Sequence, residues 1–218
     1  MRKTLKEVLD IFQGVNGDEI QLLKKIQVLN TLFFFGGYFQ VNNRKIYLAD
    51  IEFYYHEEGT RNKMKDFIMY HTNDHEKKIV DYFPLGSFNA HVSGVDFTFE
   101  NRDKQYRASI LIRGIKIVDD NGEVTFESRP TYVYEYLLMG KSLFDSGINI
   151  KWVDAELPIK LEQIKQTYRK NVCQYDEEGN RIEYQDGVNQ LPVRIGRKVY
   201  CQCMRKWRFY LDKQDDNR

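Results

Sequence analysis

Short runs of aromatic and β-branched residues, separated by polar turns, dominate the chain between residues 38 and 126. Such residues fit the pleated, half-buried surface of a β-sheet, and the chain supplies fifteen tyrosines and fourteen phenylalanines. The predicted strands are 38–41, 46–55, 87–91, 95–99, 109–118 and 124–126. Turn signals at Asn42-Asn43 and at Asp120-Asn121-Gly122 follow the first and the fifth of these runs. The pattern predicts a strand-rich central sheet with antiparallel or mixed pairing.

Helical patterns lie on both sides of these strands. At the start of the chain, apolar residues recur at helical spacing in two groups, Leu5, Val8, Leu9 and Phe12, then Leu22, Leu23, Ile26 and Leu29. Gly14 ends the first pattern, and Asp18 is placed to cap the second helix. Two shorter helices are predicted at 132–139 and 159–168, and 193–211 is again strand-like. The predicted fold class is therefore α+β, a central sheet with N-terminal helices.

Nothing in the sequence divides the chain into units. It has no internal repeat, no proline-rich linker and no low-complexity tract, and a chain of this length can bury one large core. We therefore predict a single domain over 1–218, with a helical part at 1–33 and a core at 36–211. Residues 56–83 are polar and charged, and are predicted to form a loop with at most a short helix.

The cysteines and the apolar patches bear on the compartment. Cys173, Cys201 and Cys203 are an odd number without regular spacing, which favours a reducing compartment over a disulfide scaffold. Cys201-x-Cys203 is also too short for the usual zinc-knuckle spacing. The longest apolar patch, 32–35, is far too short to cross a bilayer, and no continuous apolar leader begins the chain. We expect a cytoplasmic protein with no membrane partner, no metal and no cofactor.

One strand-like run, 51–55, contains a glutamate among apolar and aromatic residues. Strand alternation places Glu52 and Tyr54 on one face and Phe53 and Tyr55 on the other. A carboxylate and a phenol on one face suit a pocket that stacks a flat ring and holds a water. A glutamate on an edge strand that faces solvent would have the same local sequence, so Glu52 alone does not define a site.

Other polar residues lie inside apolar runs in the same way. His91, Asp96 and Arg113 each interrupt a predicted strand. An arginine amid apolar neighbours needs a carboxylate or phosphate partner, and Gly114 beside it allows another backbone to come close. The polar loop can bring His71 to the same place. Several such residues in one strand system predict a polar pocket.

Basic residues crowd one stretch near the end of the chain, although the formal net charge is only +1. They alternate with aromatic residues, a combination that suits a nucleic-acid backbone and equally suits a solvated strand face. The six residues are Arg194, Arg197, Lys198, Arg205, Lys206 and Arg208.

Seven short segments between residues 35 and 211 follow one another in a definite order. They are Ile-Glu-Phe-Tyr at 51–54, Asp to His at 66–71, Gly to His at 86–91, Leu-Ile-Arg-Gly at 111–114, Ser-Arg-Pro at 128–130, Pro-Val-Arg-Ile-Gly at 192–196 and Trp-Arg-Phe-Tyr at 207–210. This succession resembles the alkyladenine (3-methyladenine) DNA glycosylases. The resemblance implies a fold like the C-terminal domain of formyltransferases, and damaged DNA as the partner.

The resemblance also implies roles for individual residues. Glu52 would be the general base that activates water against the anomeric carbon of a flipped nucleotide, and Arg113 would act with that water or with a phosphate. The six basic residues near the end of the chain would help to hold the DNA backbone. Tyr54, His71 and His91 would line the base pocket, stacking the flipped base and hydrogen-bonding to it. We place Ser93 and Asp96 on the substrate side with them, although Asp96 has no counterpart role in the family.

Ser93 marks a difference from this family. It stands where the family carries a bulky side chain, usually tyrosine, that fills the gap left by the flipped base, and a serine is too small to do so. Three hypotheses follow. The chain is a glycosylase acting on damaged purines in DNA, or a non-catalytic member of the family that binds nucleic acid or a nucleotide. In the third, the match is fortuitous and the chain is a different enzyme or an interaction module, in which Glu52, His71, His91 and Asp96 could form an unrelated acid–base or metal cluster.

Overall fold

The computed structural model describes residues 3–59, 63–66, 69–138, 150–157, 161–169, 174–175, 181–182, 193–195, 198–200 and 205–212. Four helices lie in these residues: α1 Leu5–Asp10, α2 Glu19–Phe35, α3 Asn73–Glu76 and α4 Pro130–Leu138. Nine strands join in one sheet: β1 Gly37–Val41, β2 Arg44–Glu57, β3 Phe88–His91, β4 Gly94–Thr98, β5 Tyr106–Val118, β6 Val124–Glu127, β7 Ile150–Asp154, β8 Ile164–Thr167 and β13 Arg208–Leu211. Four short strands pair elsewhere: β9 Gln174–Tyr175, β10 Arg181–Ile182, β11 Val193–Ile195 and β12 Lys198–Tyr200.

The large sheet is curled and all its pairings are antiparallel. Its strand order is β3-β4-β5-β2-β1-β7, with β13 also pairing with β2 and β8, and β6 with β5. The predicted α+β class with a strand-rich central sheet is thus confirmed. Among the described residues, no helix is both long and apolar enough to cross a membrane.

The N-terminal helices form as the apolar spacing predicted. Thr4 caps α1 in a capping box with Glu7, and the Asp18 side chain accepts a hydrogen bond from the N–H of Gln21 at the start of α2. The inward residues of α2 are buried, as the periodicity requires.

Alternation along β2 and β5 gives the sheet two different faces. On one face, Phe53 and Tyr55 are buried against the N-terminal helices. The ring of Phe33 on α2 lies 6.1 Å from that of Phe53 and 5.8 Å from that of Phe97, and Phe12 contacts Tyr55 at 6.1 Å. Aromatic packing of this kind makes up much of the apolar core. The opposite face carries Asp50, Glu52, Tyr54 and His56 of β2.

The second half of the chain differs from the prediction in two places. The helix predicted at 159–168 is wrong over its described residues, because Leu161–Gln163 is a single 3₁₀ turn and 164–167 is strand β8. This segment pairs with β13, so tertiary pairing overrides its helical periodicity. The strand predicted over 193–211 is instead three short strands in the described residues. Residue 139, at the end of the predicted helix 132–139, lies outside them.

The carboxylate of Glu57, the last residue of β2, anchors the connection between α1 and α2. It accepts hydrogen bonds from the N–H groups of Val15, Asn16 and Gly17 at 2.6–2.9 Å, and from the N–H of Met64 at 3.0 Å. The Tyr55 hydroxyl also donates to it. Burial alone would raise the pKa of Glu57, but these hydrogen bonds outweigh it and hold the pKa below its usual range.

Glu57→Gln should therefore destabilise the fold. We expect the free energy of unfolding to fall by about 1.5–3 kcal/mol at pH 7, because an amide cannot accept from all of these donors. The folded-state pKa is lowered, so the carboxylate stabilises the protein above the unfolded-state pKa of about 4.3, and this stabilisation is lost as the pH falls through the folded-state value. Urea denaturation at pH 7 and pH 4 measures both effects. The exposed Glu123→Gln is the control, and equal losses in the two variants would contradict the anchoring role.

Candidate functional site

A row of side chains crosses four strands on the polar face of the sheet. Arg208 pairs with Glu52, Glu52 with Leu111, and Leu111 with Asp96. Directly paired residues on neighbouring antiparallel strands point to the same face, so Glu52 and Asp96 share this face two strands apart, at a spacing of roughly 10 Å. Glu52 and Asp96, two of the residues predicted to line a polar pocket, therefore share one face of the sheet.

Glu52 is fully buried at the centre of this row. Its Oε2 accepts a hydrogen bond from the Tyr54 hydroxyl at 3.1 Å and lies 3.4 Å from Nη1 of Arg113. Its Oε1 lies 4.0 Å from Nε of Arg208. One carboxylate thus faces a phenol and two guanidinium groups, which stabilise its negative charge in a place with little access to solvent. Glu52, Tyr54 and Arg113 are brought together as the sequence predicted.

Arg208 reaches Glu52 from a position fixed by a second carboxylate. Its guanidinium binds Asp50 through two hydrogen bonds, of 2.9 and 2.5 Å. The β2–β5 register shifts at Asp50, opposite Gly114, and an added Cβ at Gly114 would lie 3.1 Å from Cβ of Asp50. The close approach predicted at Gly114 is therefore present. The β2–β13 register has no shift, so alternation along β2 places Asp50 on the same face as Glu52, where Arg208 binds it.

The ring of Tyr54 is faced by a buried arginine that the sequence analysis did not single out. Arg169 lies 4.8 Å from the ring centroid of Tyr54 and 5.2 Å from that of Trp207. Its guanidinium binds the Asp66 carboxylate at 2.6 and 3.3 Å and donates to the carbonyl of Phe53. Burial raises the pKa of Tyr54 well above its usual range, and the negative charge of Glu52 adds to this, so Tyr54 remains a hydrogen-bond donor to Glu52.

His91 and Asp96 form a second polar pair on this face. Nε2 of His91 lies 3.2 Å from Oδ1 of Asp96, close enough for an ion pair but without hydrogen-bond alignment. The other oxygen of Asp96 accepts from the Ser109 hydroxyl at 3.2 Å. Nδ1 of His91 accepts the N–H of Ser93, which leaves the proton of a neutral ring on Nε2, toward Asp96. The ring of Tyr70 lies 5.4 Å from that of His91.

Ser93 belongs to the turn between β3 and β4, at the edge of this polar face. The turn ends at Gly94, whose φ of +137° few side chains adopt. A Cβ there would also lie 3.0 Å from Cβ of Pro130, the first residue of α4. The side chain of Val92 beside Ser93 is 88% exposed. The turn thus presents a small polar and a medium apolar side chain.

His71 lies in the loop before β3, apart from the Glu52 group. Its Nε2 is 2.7 Å from the carbonyl oxygen of Asp81, and its ring stacks on Phe83 at 4.1 Å. Burial lowers its pKa. Within the described residues its contacts are with this loop and not with Glu52 or Tyr54.

The basic residues near the end of the chain differ in their surroundings. Arg205 donates to the carbonyl of Lys65 and lies 4.5 Å from the ring of Trp207, and burial lowers its pKa. Arg208 is held by Asp50, whereas Lys206 is exposed. Arg194 and Lys198 lie in the β11–β12 hairpin, where Arg194 pairs with Val199 and Lys198 with Ile195. Arg197 lies outside the described residues.

A second buried charge cluster surrounds Arg107, another residue that sequence reasoning missed. Its guanidinium binds Glu58 at 2.5 Å and Glu100 at 3.1 Å and lies 3.9 Å from the ring centroid of Tyr82. Arg107 shares the face of Ser109, Leu111 and Arg113, and alternation would have found it had the strand been predicted to begin at Tyr106 instead of 109. Nearby, the side-chain donors of His56, Glu58 and Asp74 lie within 4.8 Å of one another, close enough to hold a metal ion.

The two glutamates bound to Arg107 differ in protonation. Burial would raise the pKa of Glu58, but the His56 imidazole at 3.7 Å and the hydrogen bonds from Arg107 and the N–H of Asn73 lower it to about 2. Burial dominates at Glu100 and raises its pKa to about 7, despite hydrogen bonds from the N–H of Phe83 and from Arg107. One guanidinium thus neutralises one carboxylate, and the other tends to hold its proton.

Comparison of the chain with protein-family models, with curated proteins and with solved structures found no match.

The raised pKa of Glu100 predicts a pH-dependent stability. Its stabilising contribution is full below the unfolded-state pKa of about 4.3 and is lost as the pH rises through about 7, because the folded protein binds the extra proton. We expect the free energy of unfolding of the wild type to decline from pH 5 to pH 8, relative to Glu100→Gln, by on the order of 2–3 kcal/mol. Urea titrations across this range measure the difference. The exposed Glu135→Gln should follow the wild type, and parallel curves for Glu100→Gln would contradict the assignment.

Proposed function

We propose that this protein hydrolyses the N-glycosidic bond of damaged purines in DNA, with Glu52 activating the attacking water, and that it acts in the cytoplasm. The observation that carries the proposal is the buried Glu52 carboxylate, held between the Tyr54 hydroxyl and the Arg113 guanidinium on the polar face of the sheet. The compartment follows from the odd, irregularly spaced cysteines.

The reaction needs a fixed carboxylate beside the anomeric carbon. Breaking an N-glycosidic bond develops positive charge on the sugar, and a water molecule must lose a proton as it attacks. A carboxylate supports both steps, because its negative charge stabilises the sugar cation and its oxygen accepts the proton. The hydrogen bond from Tyr54 and the contact with Arg113 fix the orientation of Glu52 before substrate binds. In this proposal Arg113 positions the base, and water or a phosphate is its second partner.

Recognition of a flipped base calls for flat side chains and hydrogen-bonding groups near this carboxylate. Tyr54, Asp96 and His91 lie on the same face as Glu52. The ring of Tyr70 lies beside that of His91 and adds a second flat side chain there. We assign these groups to the base side of the pocket, with Ser93 at its edge. The exposed Lys206 is the group we assign to the DNA backbone among the described basic side chains. Arg205 and Arg208 serve mainly to hold Lys65, Trp207 and Asp50 in place.

A second candidate function is binding of nucleic acid or a nucleotide without catalysis. Ser93 favours it, because its side chain is too small to occupy the space that a flipped base leaves in a duplex. Arg169 also favours it, since this guanidinium faces the ring of Tyr54 at 4.8 Å and competes with a base for that ring. A single strand needs no such filling of the gap, so activity restricted to single strands would reconcile these observations with hydrolysis.

A single-turnover excision assay separates the two functions. The substrates are single- and double-stranded oligonucleotides that contain hypoxanthine or an alkylated purine. We expect base release by the wild type and a loss of about 100-fold or more in Glu52→Gln, the usual scale for removing a general base. Glu127→Gln is the matched control, because Glu127 is also a buried sheet glutamate bound to an arginine, Arg129.

The outcomes of this assay are distinct. Base release that Glu52→Gln retains would remove Glu52 from the mechanism. No release, with oligonucleotide binding measured by fluorescence anisotropy, would favour the non-catalytic function. Neither release nor binding would contradict both candidates.

A further inference from the structure

A cluster of metal-binding side chains lies at the end of β2, beyond the Glu52 group. His56 is on β2, Glu58 follows the strand, and Asp74 is on α3. Nε2 of His56 lies 3.3 Å from Oδ2 of Asp74 and 3.7 Å from Oε2 of Glu58, and the three donor atoms lie within 4.8 Å of one another. Asp74 is distant in sequence from His56 and Glu58, so the three side chains meet only in the folded structure and form no recognisable metal-binding motif.

The spacing of the three donors fits a small tetrahedral cation. Zinc binds imidazole nitrogen and carboxylate oxygen at about 2.0–2.2 Å, which places tetrahedral donors about 3.4 Å apart. Two of the observed separations, 3.3 and 3.7 Å, are close to that value. Three protein ligands leave the fourth position for water, and the half-exposed side chain of Asp74 gives the cluster a route to solvent.

Surrounding groups hold two of the ligands in the orientation that metal binding requires. Nδ1 of His56 lies 3.2 Å from the backbone nitrogen and 3.3 Å from the carbonyl oxygen of Asp66, so either tautomer finds a partner there. Metal binding selects the tautomer with its proton on Nδ1, which donates to that carbonyl and presents the Nε2 lone pair to the cluster. Oε1 of Glu58 is bound by Arg107 at 2.5 Å and by the N–H of Asn73 at 3.2 Å, so its Oε2 is turned toward His56. Such outer contacts are usual around metal ligands.

A cation already occupies part of this cluster. Nζ of Lys65 lies 2.8 Å from Oδ2 of Asp74 and 3.3 Å from Nε2 of His56. An ammonium group has no lone pair, so this contact is a hydrogen bond only in the tautomer with a free Nε2 lone pair, which is the tautomer that metal binding selects. The cluster therefore already holds one positive charge against the Asp74 carboxylate, and a metal ion would have to displace Lys65.

We propose that His56, Glu58 and Asp74 bind a divalent cation of the zinc class, in competition with the ammonium group of Lys65. One imidazole and two carboxylates suit zinc better than magnesium, which prefers an octahedral set of oxygen ligands. A bound ion fastens α3 to the end of β2, because Asp74 belongs to the first and His56 to the second. The proposal does not rest on the proposed hydrolysis at Glu52.

Zinc titration by isothermal calorimetry on the full chain tests the proposal. The thiols are first blocked by alkylation, because cysteines bind zinc on their own. We expect one zinc per chain. Asp74→Asn, a change at a half-exposed side chain, should weaken binding about tenfold or more, whereas Lys65→Met should strengthen it about tenfold by removing the competing cation. Circular dichroism confirms that each variant is folded.

Matched controls and a second metal complete the test. Asp81→Asn and Lys78→Met change exposed residues of the same segment and should leave zinc affinity unchanged. Cobalt should give the absorption of a tetrahedral ion in the wild type and lose it in Asp74→Asn, and magnesium should not compete. Absence of zinc binding in both the wild type and Lys65→Met would overturn the proposal. Zinc binding that neither Asp74→Asn nor His56→Gln weakens would overturn it equally.

Discussion

The antiparallel pairing of β2 with β5 is the constraint on which the other features depend. Twelve residue pairs join the two strands, from Lys45 with Val118 to Glu57 with Tyr106. Because side chains alternate along a strand, this register assigns every residue of both strands to one face or the other. One face receives the N-terminal helices and their aromatic residues. The other face receives Glu52, Tyr54 and His56 from β2, and Arg107, Ser109 and Arg113 from β5.

The second face can be buried only because its charges neutralise one another. A charged side chain removed from water loses several kcal/mol of solvation, and an oppositely charged partner in good geometry restores much of it. Asp66 with Arg169 and Asp50 with Arg208 are such pairs. Apolar residues in these places would give comparable or higher stability, so stability alone does not explain the choice of charged residues. Such concentrations of buried, pKa-shifting groups are typical of sites that bind or react.

In the Arg107 cluster, one guanidinium faces two buried glutamates, and the two glutamates differ in pKa. Glu58 and Glu100 share one guanidinium, so two carboxylates compete for a single positive charge. Glu58 also lies beside the His56 imidazole, accepts a hydrogen bond from the N–H of Asn73 and stays ionised. Burial raises the pKa of Glu100 to about 7, and one of its oxygens makes no hydrogen bond that would offset this. A cation bound by Glu58 would add positive charge beside Arg107 and would favour ionisation of Glu100.

Local periodicity explains which parts of the fold and the site were predictable from the sequence. The helices, the first hairpin and the shared face of Glu52 and Tyr54 follow from spacing within a few residues. A carboxylate or phosphate partner for Arg113 was expected because an arginine amid apolar residues needs one, and the structure identifies Glu52 as that partner. Asp66 and Arg169, however, are 103 residues apart, and no local pattern connects them. The predicted helix at 159–168 was wrong for the same reason, since its strand conformation depends on β13.

These long-range contacts change how the role of Glu52 should be understood. Tyr54 donates to Glu52, Arg169 faces the ring of Tyr54, and Asp66 binds Arg169. The backbone of Asp66 in turn contacts the imidazole of His56. The orientation of Glu52 is therefore fixed through a series of buried contacts that extends to the end of β2, in an interior packed too closely for one group to shift alone. The candidate chemistry therefore depends on the whole series of contacts from Glu52 to His56. The motif around Glu52 supplies only the first of these contacts, the one with Tyr54.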